Sequence, residues 1–271
     1  KKVELNGRYT HHAIYDETIK FIKDNKHEPF FLYCPWTPPH AAYQIPEDEP
    51  AWQIYKDKPW GKDAKVAAAM DTMMDRQVGE ITALLKKLEI YENTLMFFTS
   101  DNGAAKRFDG IHNSCGVMQG HKRSLNEGGI RVPMVARWPG KIKPDSVSGH
   151  PWYFPDVMPT LAEIAGVSKE VPKDIDGISV LPTLLGKGEQ KQHEYMYWQF
   201  GVRAARSGKW KGIGKGGHMY LYDLSKDMAE KNDLSAKHPE IAAKFKHYIT
   251  EGYREPRSQK DDGKYTGKAK K

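Results

Sequence analysis

The chain has 271 residues, 39% of them hydrophobic and 28% charged, with a formal net charge of +7 and a mean hydropathy of −0.72. This fits one large globular domain, or a medium domain with a smaller companion. No apolar run approaches the ~20 residues of a membrane helix, and two cysteines, Cys34 and Cys115, build no disulfide framework.

The charge is unevenly placed. Residues 257–271 hold six Lys/Arg and two Asp, so this stretch supplies +4 and leaves +3 for the body. A body so weakly basic argues against a nucleic-acid partner, and the polar tail reads as a disordered terminus. No secretory signal peptide is expected at Lys1-Lys2-Val3-Glu4. Whether Cys34 and Cys115 pair is open.

Ala13–Asn25 is predicted as an amphipathic helix, with Tyr15, Ile19 and Ile22 on one face. His27-Glu28-Pro29 ends it, and Phe30-Phe31-Leu32-Tyr33 follows as a buried strand. The loop Cys34-Pro35-Trp36-Thr37-Pro38-Pro39-His40 is stiffened by three prolines. It delivers His40 to the carboxyl end of that strand, where an imidazole titrating near neutrality is a candidate acid/base group. Ala41–Lys62 reads as a long irregular connection. Asp63–Leu88 is predicted as a long helix with Met70, Met74, Val78, Ile81, Leu85 and Leu88 as its stripe and Asp63 as its cap.

The next stretch, Thr94–Gly103, is an apolar, β-rich run that ends abruptly in Asp101-Asn102-Gly103. It is predicted as a strand buried on both faces, parallel to the 30–34 strand. Asp101 and Asn102 then stand at its carboxyl end, where open α/β sheets place their ligands. A carboxylate beside an amide carbonyl offers hard oxygens suited to Ca²⁺ or Mg²⁺. Gly103 is expected to turn the chain away with positive φ. An ordinary strand-to-turn exit has the same composition.

In the loop that follows, His112, Cys115 and His121 hint at zinc, but their spacing is irregular and a fourth ligand is missing. Gly120–Pro133 is dense in cations and glycines. Lys122 there suits a tetrahedral anion, and Gly128-Gly129 permits close backbone approach. Pro133–Trp138 is predicted as a strand and Pro155–Ala165 as a helix closed by Gly166. From Tyr195 the texture changes to short strands at 195–200, 202–206, 210–213 and 219–224, split by Gly-rich turns, as in an antiparallel sheet. His238–Tyr253 then forms a helix with Ile241, Phe245, Tyr248 and Ile249 inward.

Several motifs stand in order: Pro39-His40; Thr99-Ser100-Asp101-Asn102-Gly103; Gly120-x-Lys122; Glu127-Gly128-Gly129-x-Arg131-Val132-Pro133; Asp156-x-x-Pro159-Thr160; Asp176-Gly177-x-Ser179; and Leu221-Tyr222-Asp223-Leu224. The ordered set resembles the type I, formylglycine-dependent sulfatases of the arylsulfatase family over nearly all of the chain up to about Pro256. The resemblance implies an alkaline-phosphatase-like α/β fold: a mixed or parallel sheet between helices, incomplete here, over 1–189, a small antiparallel sheet plus helix over 190–256, and the basic tail 257–271. It implies hydrolysis of sulfate esters, of sulfated sugars or glycans, with Ca²⁺ the usual cation and Mg²⁺ an alternative.

On the matching positions the resemblance implies Asp101 and Asn102 as metal ligands. Lys122 would hold the sulfate oxygens and His40 would assist the leaving alcohol, with Arg107, His112 and Arg123 as further substrate contacts. It also implies a periplasmic or secreted location. The family's C-x-P-S-R or S-x-P-S-R motif, the source of the formylglycine nucleophile, is absent from this sequence, as are its early Asp-Asp ligands. A chain without them is expected to be inactive alone and to expose apolar sheet edges. Two other readings share these residues. One is a phosphodiesterase or phosphonate hydrolase of the same superfamily. The other is a non-catalytic chain that binds sulfated polymers through Arg107, Lys122, Arg123 and the tail.

Overall fold

The structure, a computed structural model, describes residue 5 and residues 7–254; the basic tail lies outside them. The chain divides into two compact units. One comprises residues up to Met96 with Gly110–His112 and Arg137–Gly140. The other comprises Phe97–Asp109, Asn113–Ala136 and the chain from Lys141 onward.

The first unit is helical. α1 (Thr10–Asp24) buries Ile22 and carries Tyr15 and Ile19 on the same face. α2 (Pro50–Tyr55) interrupts the connection expected to be irregular, because Glu49 caps it and Pro50 occupies its first turn. α3 (Lys62–Lys87) buries Met70, Met73, Met74, Ile81 and Leu85. Its cap is Gly61 rather than Asp63; the helix begins one residue earlier than expected, and the Asp63 carboxylate lies in the first turn, where the helix dipole favours it.

The predicted strand at Phe30–Cys34 is not a strand. The segment alternates as one would, with Leu32 packed among Ile22, Ile81 and Leu85, and Phe31 and Tyr33 70% and 72% exposed. It joins no ladder among the described residues. Extended backbone needs a neighbour to become sheet, and among the described residues it has none.

In the second unit, β1 (Met96–Thr99, its first residue in the other unit) is half-buried at its start and exposed at its end. It is therefore not covered on both faces, and its ladder partner is β2 (Met134–Arg137), not the 30–34 segment. Between them lies the single turn α4 (Glu127–Ile130). α5 (Val157–Ile164) ends before Gly166, which takes φ +74 as expected for a helix terminus, and α6 (Leu181–Leu185) follows.

β3 (Met196–Phe200), β4 (Val202–Ser207), β5 (Trp210–Lys215) and β6 (His218–Asp223) form an antiparallel meander in chain order. The β5–β6 turn is Gly216-Gly217, both at positive φ, the geometry a two-residue hairpin loop requires. Alternation divides the sheet cleanly. Ala205 and Leu221 pack on Phe245 and Tyr248 of α7 (Pro239–Glu251). Ala204, Ile213 and Tyr222 pack with Leu125 and Ile130 on the opposite face. The sheet therefore backs the segment that carries Lys122.

Candidate functional site

The Asp101 turn and the Lys122 loop are laced together by backbone. Gly103 N–H donates to the Gly129 carbonyl at 3.0 Å, and Lys122 N–H to the Ala104 carbonyl at 2.8 Å. Upstream, the Thr99 hydroxyl donates to the Pro133 carbonyl at 2.9 Å. Gly103 does not take positive φ, contrary to expectation. It is glycine for another reason: a Cβ there would lie 1.9 Å from the Gly128 carbonyl oxygen. Gly128 and Gly129 are crowded in the same way, by the carbonyls of Gly120 and Ser124 at 2.3 and 2.1 Å. Three glycines let three strands of backbone touch, as expected of the Gly128-Gly129 pair.

Within this frame Asp101 is exposed and Asn102 half-buried, with the Ser100 hydroxyl donating to the Asn102 backbone carbonyl at 3.1 Å. Lys122 is half-buried in a turn closed by Ser124 N–H on the His121 carbonyl at 2.9 Å. Arg123, in that turn, is exposed and takes φ +75, an uncommon conformation for a side-chain-bearing residue. Arg107 lies in the exposed turn Lys106–Phe108. All five belong to the second unit.

His40 and His112 belong to the first. His40 is exposed and donates from Nδ1 to the Ala41 carbonyl at 2.8 Å, which places its proton on that nitrogen. His112 packs edge-on to Trp60, which stacks on Tyr55. Trp36 and Trp52 pack into apolar clusters.

The zinc hint dissolves into separate contacts. His121 pairs with Asp109, and the Cys115 thiol donates to the Gly128 carbonyl at 3.4 Å. Among the described residues no three His, Cys, Asp or Glu side chains form a metal-holding group. Both cysteines are free thiols, and burial raises the pKa of each. For a hard divalent cation, the oxygens of Asp101 and Asn102 are right in kind. They are too few by themselves for the six to eight that Ca²⁺ takes.

Two groups carry structure that sequence reasoning missed. Asp156, fully buried, accepts Tyr153 N–H at 2.9 Å, Ile178 N–H at 2.8 Å and His193 Nε2 at 2.8 Å. The Thr160 hydroxyl accepts Val180 N–H at 2.9 Å. The Asp156-x-x-Pro159-Thr160 and Asp176-Gly177-x-Ser179 motifs are thus two halves of one hydrogen-bonded joint. The second group is Lys211, wholly buried on β5 between Glu127 and Glu230 at 2.9 and 3.0 Å. Its only sequence signal is a lysine inside the strand pattern Trp210-Lys211-Gly212-Ile213, where alternation alone leaves its direction undetermined.

Comparison with known proteins places this geometry. The sulfatase family model matches residues 1–167, and the model of the N-sulphoglucosamine sulphohydrolase C-terminal region matches residues 119–255. N-acetylgalactosamine-6-O-sulfatase of Bacteroides thetaiotaomicron is 30% identical over 267 residues, covering 87% of this chain and 49% of that protein. The steryl-sulfatase of Mus musculus is 32% identical over 189 residues, covering 67% of this chain and 28% of the relative. Among solved structures, Ps i-CgsB in complex with k-i-k-neocarrahexaose superposes with a TM-score of 0.78 at 26% identity, covering 95% of this chain and 56% of that one. A Bacteroides thetaiotaomicron structure from the metabolism of multiple glycosaminoglycans gives 0.73 at 29% identity, covering 89% and 54%. The chain therefore spans about half, or less, of the length of the curated relatives it matches. Its fold is the alkaline-phosphatase-like α/β fold with a small antiparallel sheet and C-terminal helix. With family models covering residues 1–167 and 119–255, and the Asp-Asn-Gly turn bound to the Gly-x-Lys loop, this chain belongs to the sulfatase family.

Proposed function

We propose that this chain carries the anion-holding part of a sulfate-ester hydrolase acting on sulfated sugars or glycans. The observation that supports it most is the backbone lacing of Asp101–Ala104 to Lys122 and Gly129. Residues far apart in sequence, and of the right chemistry, are held on one frame. Asp101 and Asn102 would hold Ca²⁺, or Mg²⁺, with further oxygens from outside this sequence; when bound, the cation supplies Lewis-acid stabilisation of sulfate oxygens. Lys122 offsets the charge that develops on those oxygens. His40 protonates the leaving oxygen, a general-acid role open to an imidazolium. Arg107, His112 and Arg123 contact the rest of the substrate.

The sulfatase family is generally dependent on formylglycine, and we place that nucleophile in polypeptide outside this sequence. The sugar substrate is favoured because the N-acetylgalactosamine-6-O-sulfatase likeness covers 87% of this chain and the steryl-sulfatase likeness 67%. We further propose the meander and α7, within 190–256, as a small subdomain, and a periplasmic or secreted location. Among the described residues no helix is long and apolar enough to cross a membrane.

The test is turnover by the full-length protein that carries this chain. It is expected to cleave an aryl sulfate faster than the matching aryl phosphate and to lose that activity on chelation. Equal or faster turnover of the phosphate would contradict the reading and favour the phosphodiesterase alternative.

A further inference from the structure

Behind the Lys122 loop lies a buried charge cluster that the proposed chemistry does not use. Lys211 has no exposed surface, and Glu127 and Glu230 are nearly as buried. Lys211 Nζ bridges their carboxylates. The other Glu230 oxygen accepts the backbone N–H of Glu127 at 2.7 Å. Arg131 and Arg206 stand at 3.3 and 3.9 Å from the second Glu127 oxygen. Gln119, with its amide turned so that nitrogen faces the acceptors, makes an independent tie by donating to the Glu230 and Ala229 carbonyls at 2.9 and 3.1 Å. Glu230 itself takes φ +51, an uncommon conformation for a non-glycine residue.

Stability alone does not account for such a cluster. Replacing a buried ion pair or triad by well-packed neutral residues is commonly neutral or stabilising. What the cluster does is mechanical. Glu127 opens the α4 turn. Gly128 N–H in that turn donates to the Gln119 carbonyl at 2.8 Å, and the Gly129 carbonyl accepts from Gly103. The chain of contacts therefore runs from the sheet, through Lys211 and Glu127, to both halves of the Asp101–Lys122 frame.

We infer that Lys211 is a positioning residue for the anion site: clamped between Glu127 and Glu230, it fixes where the Gly128–Gly129 turn holds Asp101 and Lys122. The inference rests on the sulfate-ester reading and names a residue beyond it. It predicts that the charges can be removed without loss of fold but not without loss of site geometry.

The experiment uses the full-length protein and three readouts: thermal melting, affinity for inorganic sulfate by calorimetry, and kcat and KM on an aryl sulfate. Lys211→Met alone strands two buried carboxylates and is expected to melt early. The triple variant K211M/E127Q/E230Q removes the stranded charge. It is expected to melt like the parent protein yet bind sulfate at least tenfold more weakly, with a comparable fall in kcat/KM carried mainly by kcat. A triple variant with parental melting, sulfate affinity and kcat would overturn the inference. Should the triple variant not fold, Glu230→Gln leaves Lys211 one carboxylate and is expected to weaken sulfate binding about threefold; unchanged affinity there also overturns it. If the parent protein neither binds sulfate nor turns over the aryl sulfate, the sulfate-ester reading itself falls, and the inference with it.

Discussion

Two apolar stretches of this chain share β-forming chemistry and differ in outcome. Phe30–Cys34 lies extended with alternate side chains packed and exposed, and it joins no ladder among the described residues. Met196–Phe200 is a full strand whose partner, Val202–Ser207, begins after a single residue. The difference lies in whether a partner stands beside the segment, not in local propensity. A hairpin brings its own neighbour, whereas a strand of the parallel kind depends on residues far away in sequence. The C-terminal meander is consequently closed on both faces by its own chain, while Phe31 and Tyr33 face outward.

That contrast can be broken or sharpened by substitution. The largest effect is expected at Phe245, which is buried against Leu221 and Ala205: Phe245→Ala should cost about 3–5 kcal/mol, measured by denaturant unfolding of this chain. Next is Gly103→Ala, whose methyl would meet the Gly128 carbonyl at 1.9 Å. It should cost about 1–3 kcal/mol and, in the full-length protein, weaken sulfate binding by separating the two loops; an unchanged melt would mean that the lacing is not tight.

A smaller effect concerns acid stability. Asp223 accepts the Ser225 hydroxyl and Lys209, and these bonds hold its pKa at about 2 despite burial, below an unfolded value of about 3.9. A carboxylate depressed in this way stabilises the fold above about pH 4, and that contribution is lost as pH falls from about 4 to 2. Asp223→Asn should flatten the acid limb of a melting-temperature profile over that window, and a parallel profile would remove Asp223 from the account. The smallest effect is expected at Phe31. In this 271-residue chain, Phe31→Ser should shift stability by no more than about 0.5 kcal/mol, and a loss near that of Phe245 would show that its side chain is packed after all.

The same contrast explains what the sequence made legible. α1, α3, α5 and α7 follow from periodicity and terminators, and the meander from glycine-split β-rich runs, all local signals. The 30–34 ladder fails because its expected partner, the run ending at Thr99, pairs with Met134–Arg137 instead, and among the described residues no other strand joins it. Gly103 was expected for its φ and is required for its lack of a Cβ, which only the neighbouring turn reveals. The Asp101 and Lys122 segments are legible as ordered motifs, Thr99–Gly103 and Gly120-x-Lys122. Lys211 escaped notice because the residues that justify burying a lysine, Glu127 and Glu230, lie 84 positions before it and beyond the following strand.

The central claim is that the Asp101 turn and the Lys122 loop together hold one tetrahedral anion. Its most direct test is kcat/KM of the full-length protein on an aryl sulfate with Lys122→Ala. The account predicts a fall of about 10²–10³-fold, as for a removed oxyanion donor, with melting temperature preserved. A kcat/KM equal to that of the parent protein would contradict it.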